Sequence, residues 1–343
     1  MGNRLPHQRR GYIPLPIKDG LNPTRVRVPE EVSPIKAADF LMEVIQTQRH
    51  RHPDDDREAL LKRFADQEVV LFDATPISPE TLLSAEQDVF FYRTPAPETP
   101  VPYDIPIVYE DNDILVADKP PFMATMPRAR HIVETATVKL RRSTGIDDLA
   151  PAHRLDRLTS GLLLFTKRRE ARGAYQTLFA RREVHKTYSA IAEHQVLDTP
   201  LVWQSRMEKT PGEIQGRIEP GEINAITNLS SITPLTSSEQ KAMEDIHGSQ
   251  PQLARYSLSP ETGKTHQLRL HMWAAGVPIL GDPVYPVIYP VDAEDMNVPM
   301  HLTAAELAFT DPLSGKPRHF HTSLAFEHSL FRPCLVTLRA NEG

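Results

Sequence analysis

Apolar positions along the chain recur in two rhythms, helical spacing and strand alternation. Over residues 37–48, Phe40, Leu41, Val44 and Ile45 fall on one stripe of a helix. Residues 57–64 predict a second helix, with Asp55 or Asp56 as its cap. The runs 69–72 and 88–92 predict short strands. After Tyr103 strands and helices alternate. The runs 107–109 and 114–117 flank the turn signal at residues 110–113, and residues 162–166 predict a buried strand. Ala171, Tyr175, Leu178 and Phe179 return to helical spacing. Residues 186–191 and 264–272 both alternate like strands. Residues 233–252 and 286–299 are polar and predict surface loops. No repeat with a period of 20–50 residues interrupts the pattern.

Punctuation divides the chain. Residues 1–35 are rich in Pro and Arg without periodicity, which predicts an extended or disordered arm. Pro95, Pro97, Pro100, Pro102 and Pro106 stiffen residues 95–106 into a linker after the 36–94 segment. Hydrophobic content of 40% and charged content of 24% are ordinary for a soluble globular protein. The single cysteine, Cys334, rules out an internal disulfide and a thiolate zinc cluster, as expected of a cytoplasmic protein. The N-terminus lacks the apolar core of a signal peptide. No apolar run approaches the ~20 residues of a membrane span, so no membrane partner is expected.

The net charge of −6 argues against nucleic acid, but its distribution argues for it. Residues 119–186 hold 15 Lys/Arg against 6 Asp/Glu, a local +9. Residues 1–28 hold six bases against Asp19 alone, whereas residues 54–93 hold ten acids and four bases. A basic stretch in an acidic chain is the footprint of a phosphate-backbone partner.

Within the basic stretch, the run from His153 to Gly161 sets Asp156 between Arg154 and Arg157, with no second acid. Flanking guanidiniums favour the charged carboxylate, which can accept hydrogen bonds, hold a metal or attack carbon. Two further segments stand out: Lys186 to Ile191, and Gly263 to His271. Strand alternation in the last would place Thr265, Gln267, Arg269 and His271 on one face and Leu268, Leu270 and Met272 on the other. A buried Arg269 needs an acid, and Asp156 is a candidate. His153, His266 and His271 read as hydrogen-bonded fold residues, and His266 and His271 lack the parity of a metal pair. Gly263-Lys264-Thr265 is not a phosphate loop, because Leu258 stands where that motif needs glycine. Ser160 lacks the nucleophile-elbow context of a serine hydrolase.

Together HRLDRLTSGLLLF, KTYSAI and GKTHQLRLHMWAAGVPILGDPVY resemble the signature segments of the RluA-type pseudouridine synthase family. IVYEDNDILVADKP and HLTAAELAFTDP resemble its opening strands and closing segment, so the likeness spans about residues 103–323. It implies an α+β fold with a mixed, mostly antiparallel bent sheet flanked by helices over a 107–330 catalytic domain, followed by a 331–343 segment. The helix-helix-strand-strand order of residues 36–94 resembles the alpha-L RNA-binding module, although Asp73-Ala74 and Gln87-Asp88 replace its usual turn glycines. The family isomerises uridine to pseudouridine in RNA with neither metal nor nucleotide cofactor. By resemblance, Asp156 matches the catalytic aspartate. Tyr188 matches the tyrosine that stacks on the target base, and Arg269 the arginine that pairs with the aspartate. Arg154 matches the residue that fills the space of the flipped base. Arg157, Lys186, Arg181, Arg182, His266 and Gln267 are the further residues expected to contact substrate. Arg168, Arg169 and Arg172 are expected to join Arg181 and Arg182 on phosphates. The expected partner is ribosomal or transfer RNA, met by a monomer with no obligate protein partner. The competing reading is a non-catalytic RNA-binding protein on the same fold.

Overall fold

The computed structural model describes residues 14–290 and 293–323. Residues 1–13 of the arm, residues 324–330, and the 331–343 segment with Cys334 lie outside that set. The chain divides into two units, residues 1–99 with 126–147, and residues 100–125 with 148–343.

The first unit contains β1 (Thr24–Arg27), β2 (Ile35–Lys36), α1 (Ala37–Gln46), α2 (Arg57–Ala65), β3 (Val69–Leu71), β4 (Leu82–Leu83), β5 (Asp88–Phe91) and α3 (Ala136–Thr144). The α1 stripe is real: Phe40, Leu41 and Ile45 are buried with Leu60, Phe64, Val89 and Phe91 in one core. Asp56 caps α2 by accepting from Ala59 N at 3.0 Å, while buried Asp55 pairs with Arg63. Residues 24–27 are not a free arm. They form β1, whose backbone pairs antiparallel with β5.

The second unit holds β6 (Ile107–Glu110), β7 (Ile114–Lys119), β8 (Ala150–Pro151), β9 (Ser160–Thr166), α4 (Arg169–Ala180), β10 (Val184–Glu193), β11 (Leu201–Glu208), β12 (Arg217–Glu219), β13 (Ala225–Pro234), α5 (Ser237–His247), β14 (Leu253–Pro260), α6 (Gln267–Ala274), β15 (Leu302–Thr310) and β16 (Pro317–His321). One sheet runs β12-β11-β13-β14-β10-β15-β9-β7-β6, with β16 on β15 and β8 on β9. Among the described pairings only β15 with β9 is parallel. Ala171, Tyr175 and Leu178 of α4 pack with Ile114, Val116, Leu162 and Leu164, the apolar side of β7 and β9.

Gly161 sits at the parallel junction, opposite Ala304. Its φ is +101°, and a Cβ there would lie 2.3 Å from the Ala304 carbonyl oxygen. Only glycine permits this approach. The Thr-Ser-Gly signal therefore marks where the Asp156 loop enters the centre of the sheet.

Two expectations fail. Residues 264–272 are not a strand: His266 turns the backbone left-handed (φ 57°) and α6 follows. The alternation misled because the polar residues at 267, 269 and 271 are as buried as the leucines between them, each satisfied by internal partners. Helical spacing shows directly: Gln267 and His271, four apart, both bond the Thr227 hydroxyl at 2.9 Å. The 233–252 insert is not only loop, because Thr236 and Glu239 make a reciprocal capping box that starts α5.

Candidate active site

Asp156 lies in the loop between β8 and β9, and the backbone on either side of it is fixed. The buried Thr125 hydroxyl donates to the Leu155 carbonyl at 2.9 Å and accepts from Leu155 N at 3.1 Å. The Lys119 ammonium, fully buried at the end of β7, donates to the carbonyls of Pro120, Met123 and Arg157 at 2.8, 2.8 and 3.2 Å. Three carbonyls match the three hydrogens of a charged Lys. Burial opposes that charge and brings the group down to about 7, against the pull of Asp156. Neither Thr125 nor Lys119 figured among the expected residues. The signal for Lys119 was an Asp-Lys pair closing the apolar run 114–117.

The Asp156 side chain, 34% exposed, lines a cleft of ≈ 340 Å³ with Arg154, Lys186, Tyr188, His266 and Arg269. That volume falls within the ~300–1,000 Å³ of small-molecule sites. Arg269 projects from the first turn of α6 and is 2% exposed. It approaches Asp156 as expected, with Nη1 3.9 Å from Oδ2, but its principal partner is Asp282. Nε and Nη2 each donate to Asp282 at 2.7 Å, a two-pronged pair. Asp282 Oδ1 also accepts from the backbone of Val284 and Tyr285, at 2.8 and 3.2 Å. Arg269 is thereby immobilised with one nitrogen directed toward Asp156, and the Tyr285 ring lies 5.4 Å from its guanidinium carbon.

Tyr188 reaches the cleft from β10, half-buried. Burial, and then the nearby Asp156 charge, raise its phenol far above the ordinary value. It is therefore a neutral hydrogen-bond donor and a flat platform at neutral pH. Arg154 is exposed at the same cleft, and among the described residues its side chain has no ion pair. Lys186 also lines it, its ammonium lowered by burial and by Arg182.

Other expected contacts resolve differently. Arg157 does not line this cleft: it pairs with Glu294 through both nitrogens and donates to the Phe122 carbonyl at 3.2 Å. Gln267 lines the cleft and also braces it, its oxygen accepting from Thr262 and Lys264 N and its amide donating to Ile226 O and Thr227. These four bonds use its capacity and tie the 263–266 loop to β13. Arg168 pairs with Asp113, and Arg169 and Arg172 with Asp148. Arg181 and Arg182, beyond the end of α4, are exposed and, among the described residues, carry no ion pair. Of the group proposed for phosphate, these two have no carboxylate partner among the described residues.

His266 Nδ1 lies 3.2 Å from the Tyr285 hydroxyl, which accepts from Gly216 N at 2.7 Å. Burial, then Arg269, brings His266 down to about 3, so it is neutral. His153 accepts from Leu164 N at 3.2 Å, stacks on Phe179, and is brought down to about 3 by burial and then Lys186. Both are lowered bases, so the unfolded chain takes up protons below about 6.5 that the folded chain refuses until about 3. Their contribution to stability is complete above about 6.5 and is lost on acidification. Between pH 6.5 and 5 the loss is on the order of 2 kcal/mol for each. Urea midpoints across that range should fall, and His266→Phe should flatten the slope. An equal slope in the variant would remove His266 from this account.

Comparison with known proteins finds relatives in one family. The family model described as RNA pseudouridylate synthase matches residues 113–274. The dual-specificity RNA pseudouridine synthase RluA of Haemophilus influenzae is 30% identical over 234 residues, 66% of this chain and 95% of that protein. Ribosomal large subunit pseudouridine synthase D of Zymomonas mobilis is 31% identical over 267 residues, 72% of this chain and 78% of that protein. Among solved structures, human RNA pseudouridylate synthase domain containing 1 aligns with a TM-score of 0.52 at 24% identity, covering 68% of this chain and 89% of that one. That likeness shows the fold.

Proposed function

From the premise that this chain belongs to the RluA-type RNA pseudouridine synthase family, and so is an RNA isomerase, we propose that Asp156 is its nucleophile. The observation that carries this reading is the geometry of one carboxylate: partly exposed in the cleft, 3.9 Å from a guanidinium that Asp282 holds in place. The carboxylate acts at the sugar. Its oxygen bonds the anomeric carbon as the glycosidic C–N bond breaks; the uracil turns, ring carbon 5 bonds the anomeric carbon and displaces the carboxylate, and the hydrogen lost from carbon 5 to solvent is matched by a proton taken up at the freed ring nitrogen. Arg269 orients Asp156 and balances its charge. Tyr188 supports the flipped base, and Arg154 takes the vacated place in the stack. The substrate we propose is structured ribosomal or transfer RNA, acted on in the cytoplasm by a monomer. The names of the relatives support this: one is a dual-specificity RNA pseudouridine synthase, another a ribosomal large subunit pseudouridine synthase. We retain residues 36–94 as an alpha-L-like module, 95–106 as linker and 107–330 as the catalytic domain.

RNA transcripts tritiated at uracil C5 test the reaction, because each turnover releases one label into water. Release from neither ribosomal nor transfer RNA would sink the substrate assignment. Tyr188→Phe keeps the platform and removes the hydroxyl. It should leave RNA affinity nearly unchanged and lower turnover by about 10²–10⁴, the range for lost proton transfer. Tyr188→Ala should also weaken binding by ~1–3 kcal/mol of stacking. Phe and Ala variants of equal activity and affinity would remove Tyr188 from the base site. Replacing Arg181 and Arg182 with Ala should reduce the dependence of log K on log salt by about 1–2. An unchanged slope would place phosphate elsewhere.

A further inference from the structure

Away from the cleft, the described residues contain one cluster with the donor atoms of a metal site. Glu306 on β15 and His319 and His321 on β16 each offer a ligand atom, all within 4.8 Å of one another. The strand register sets Glu306 opposite His321, and Ala308 opposite His319. On the other side of β15, Thr187 faces Glu306 and His185 faces Ala308. Successive strand residues point to opposite faces. Tyr188 enters the cleft, so Thr187 and the row it shares with Glu306 and His321 point away from it.

The distances are close to those between ligands of one ion. Glu306 Oε1 lies 3.5 Å from His321 Nδ1, and Oε2 lies 3.9 Å from His319 Nε2. Ligand atoms held about 2.0–2.1 Å from a tetrahedral ion lie about 3.3–3.4 Å apart. Small side-chain movements therefore close the set on an ion, without moving the strands. Among the described residues no Lys or Arg pairs with Glu306, whose only charge partners are these two imidazoles. The side chains of Glu306, His319 and His321 are 38, 54 and 61% exposed, so a hydrated ion reaches them. His185, separated from His319 by only the methyl of Ala308, is the nearest further imidazole in that row.

We propose that Glu306, His319 and His321 form a divalent transition-metal site, with Zn²⁺ as its ion. Two imidazoles and a carboxylate are a zinc donor set, and the fourth position is left to water or to His185. The ion clips β16 to β15 on the side of the sheet away from the cleft and takes no part in the isomerisation.

Tag-free full-length chain, stripped with chelator and dialysed against Zn²⁺, tests the site by metal analysis and calorimetry. The expected result is one Zn²⁺ per chain and a Tm raised by the ion. His321→Ala and the shape-conserving Glu306→Gln should each lower Zn²⁺ affinity at least as much as loss of a supporting residue does, about 10–100-fold. Both should retain pseudouridine formation. No stoichiometric Zn²⁺ on the parent chain, or parent-like Zn²⁺ affinity in both variants, would overturn the proposal.

Discussion

Asp156→Asn leaves RNA affinity nearly unchanged and lowers pseudouridine formation by on the order of 10⁴-fold or more, the scale seen when a nucleophile is removed. Asparagine preserves the shape of the side chain, and the loop keeps its anchors because Thr125 and Lys119 grip backbone atoms of residues 155 and 157. The loss therefore falls on chemistry. RNA affinity comes mainly from cationic and stacking groups elsewhere, and removing a negative charge beside a polyanion does not oppose binding. Filter binding and tritium release on one preparation separate the two effects. Parallel loss of affinity and turnover would make Asp156 a binding residue; turnover near the parent rate would end the nucleophile assignment.

Asp282→Asn should destabilise the fold by about 3–5 kcal/mol, the cost of leaving one member of a buried ion pair without its partner. Arg269 and Asp282 are both buried, at 2 and 6% exposure. The site does not relax easily, because Gly281 precedes Asp282 with a φ of +76° and a Cβ there would lie 2.3 Å from the Pro299 carbonyl oxygen. Turnover should also fall by about 10²-fold, the effect of displacing a reacting group by an ångström. The mechanism is specific: Asp282 occupies Nε and Nη2, which leaves Nη1 for Asp156. A guanidinium released from Asp282 reorients toward Asp156 and displaces it. The loss should appear in kcat more than in KM, with a lowered urea midpoint. Parent stability and kcat would show that Arg269 needs no such anchor.

The three chemical segments were legible because each concentrates an uncommon arrangement in a few residues: an acid between arginines, a Lys-x-Tyr pair, and a cation among apolar positions. The structure brings Asp156, Tyr188 and Arg269 to one cleft. What the sequence concealed depends on partners far along the chain. Arg269 required an acid, and Asp156 was the visible choice, yet Asp282, thirteen residues on, supplies both strong bonds. Arg157 looked like a substrate contact because local sequence does not show Glu294 reaching it. Gln267 does line the cleft, but the sequence did not show that Thr227 and Thr262 bond its amide. The strand expected at 264–272 became α6 because period-two polarity was produced by buried polar groups with internal partners, not by water on one side. The capping box of α5 was present in the letters Thr-Ser-Ser-Glu, but a helix with only Met243 buried has almost no apolar stripe to reveal it.

A cleft that turns uridine into pseudouridine at Asp156 leaves its product in the RNA. The most direct measurement is pseudouridine mapping, at nucleotide resolution, of unmodified ribosomal and transfer RNA after incubation with the purified chain or with Asp156→Asn. Discrete new pseudouridines are expected with the parent chain and none with the variant. The same sites modified by both proteins, or no new site with the parent, would contradict this role of Asp156.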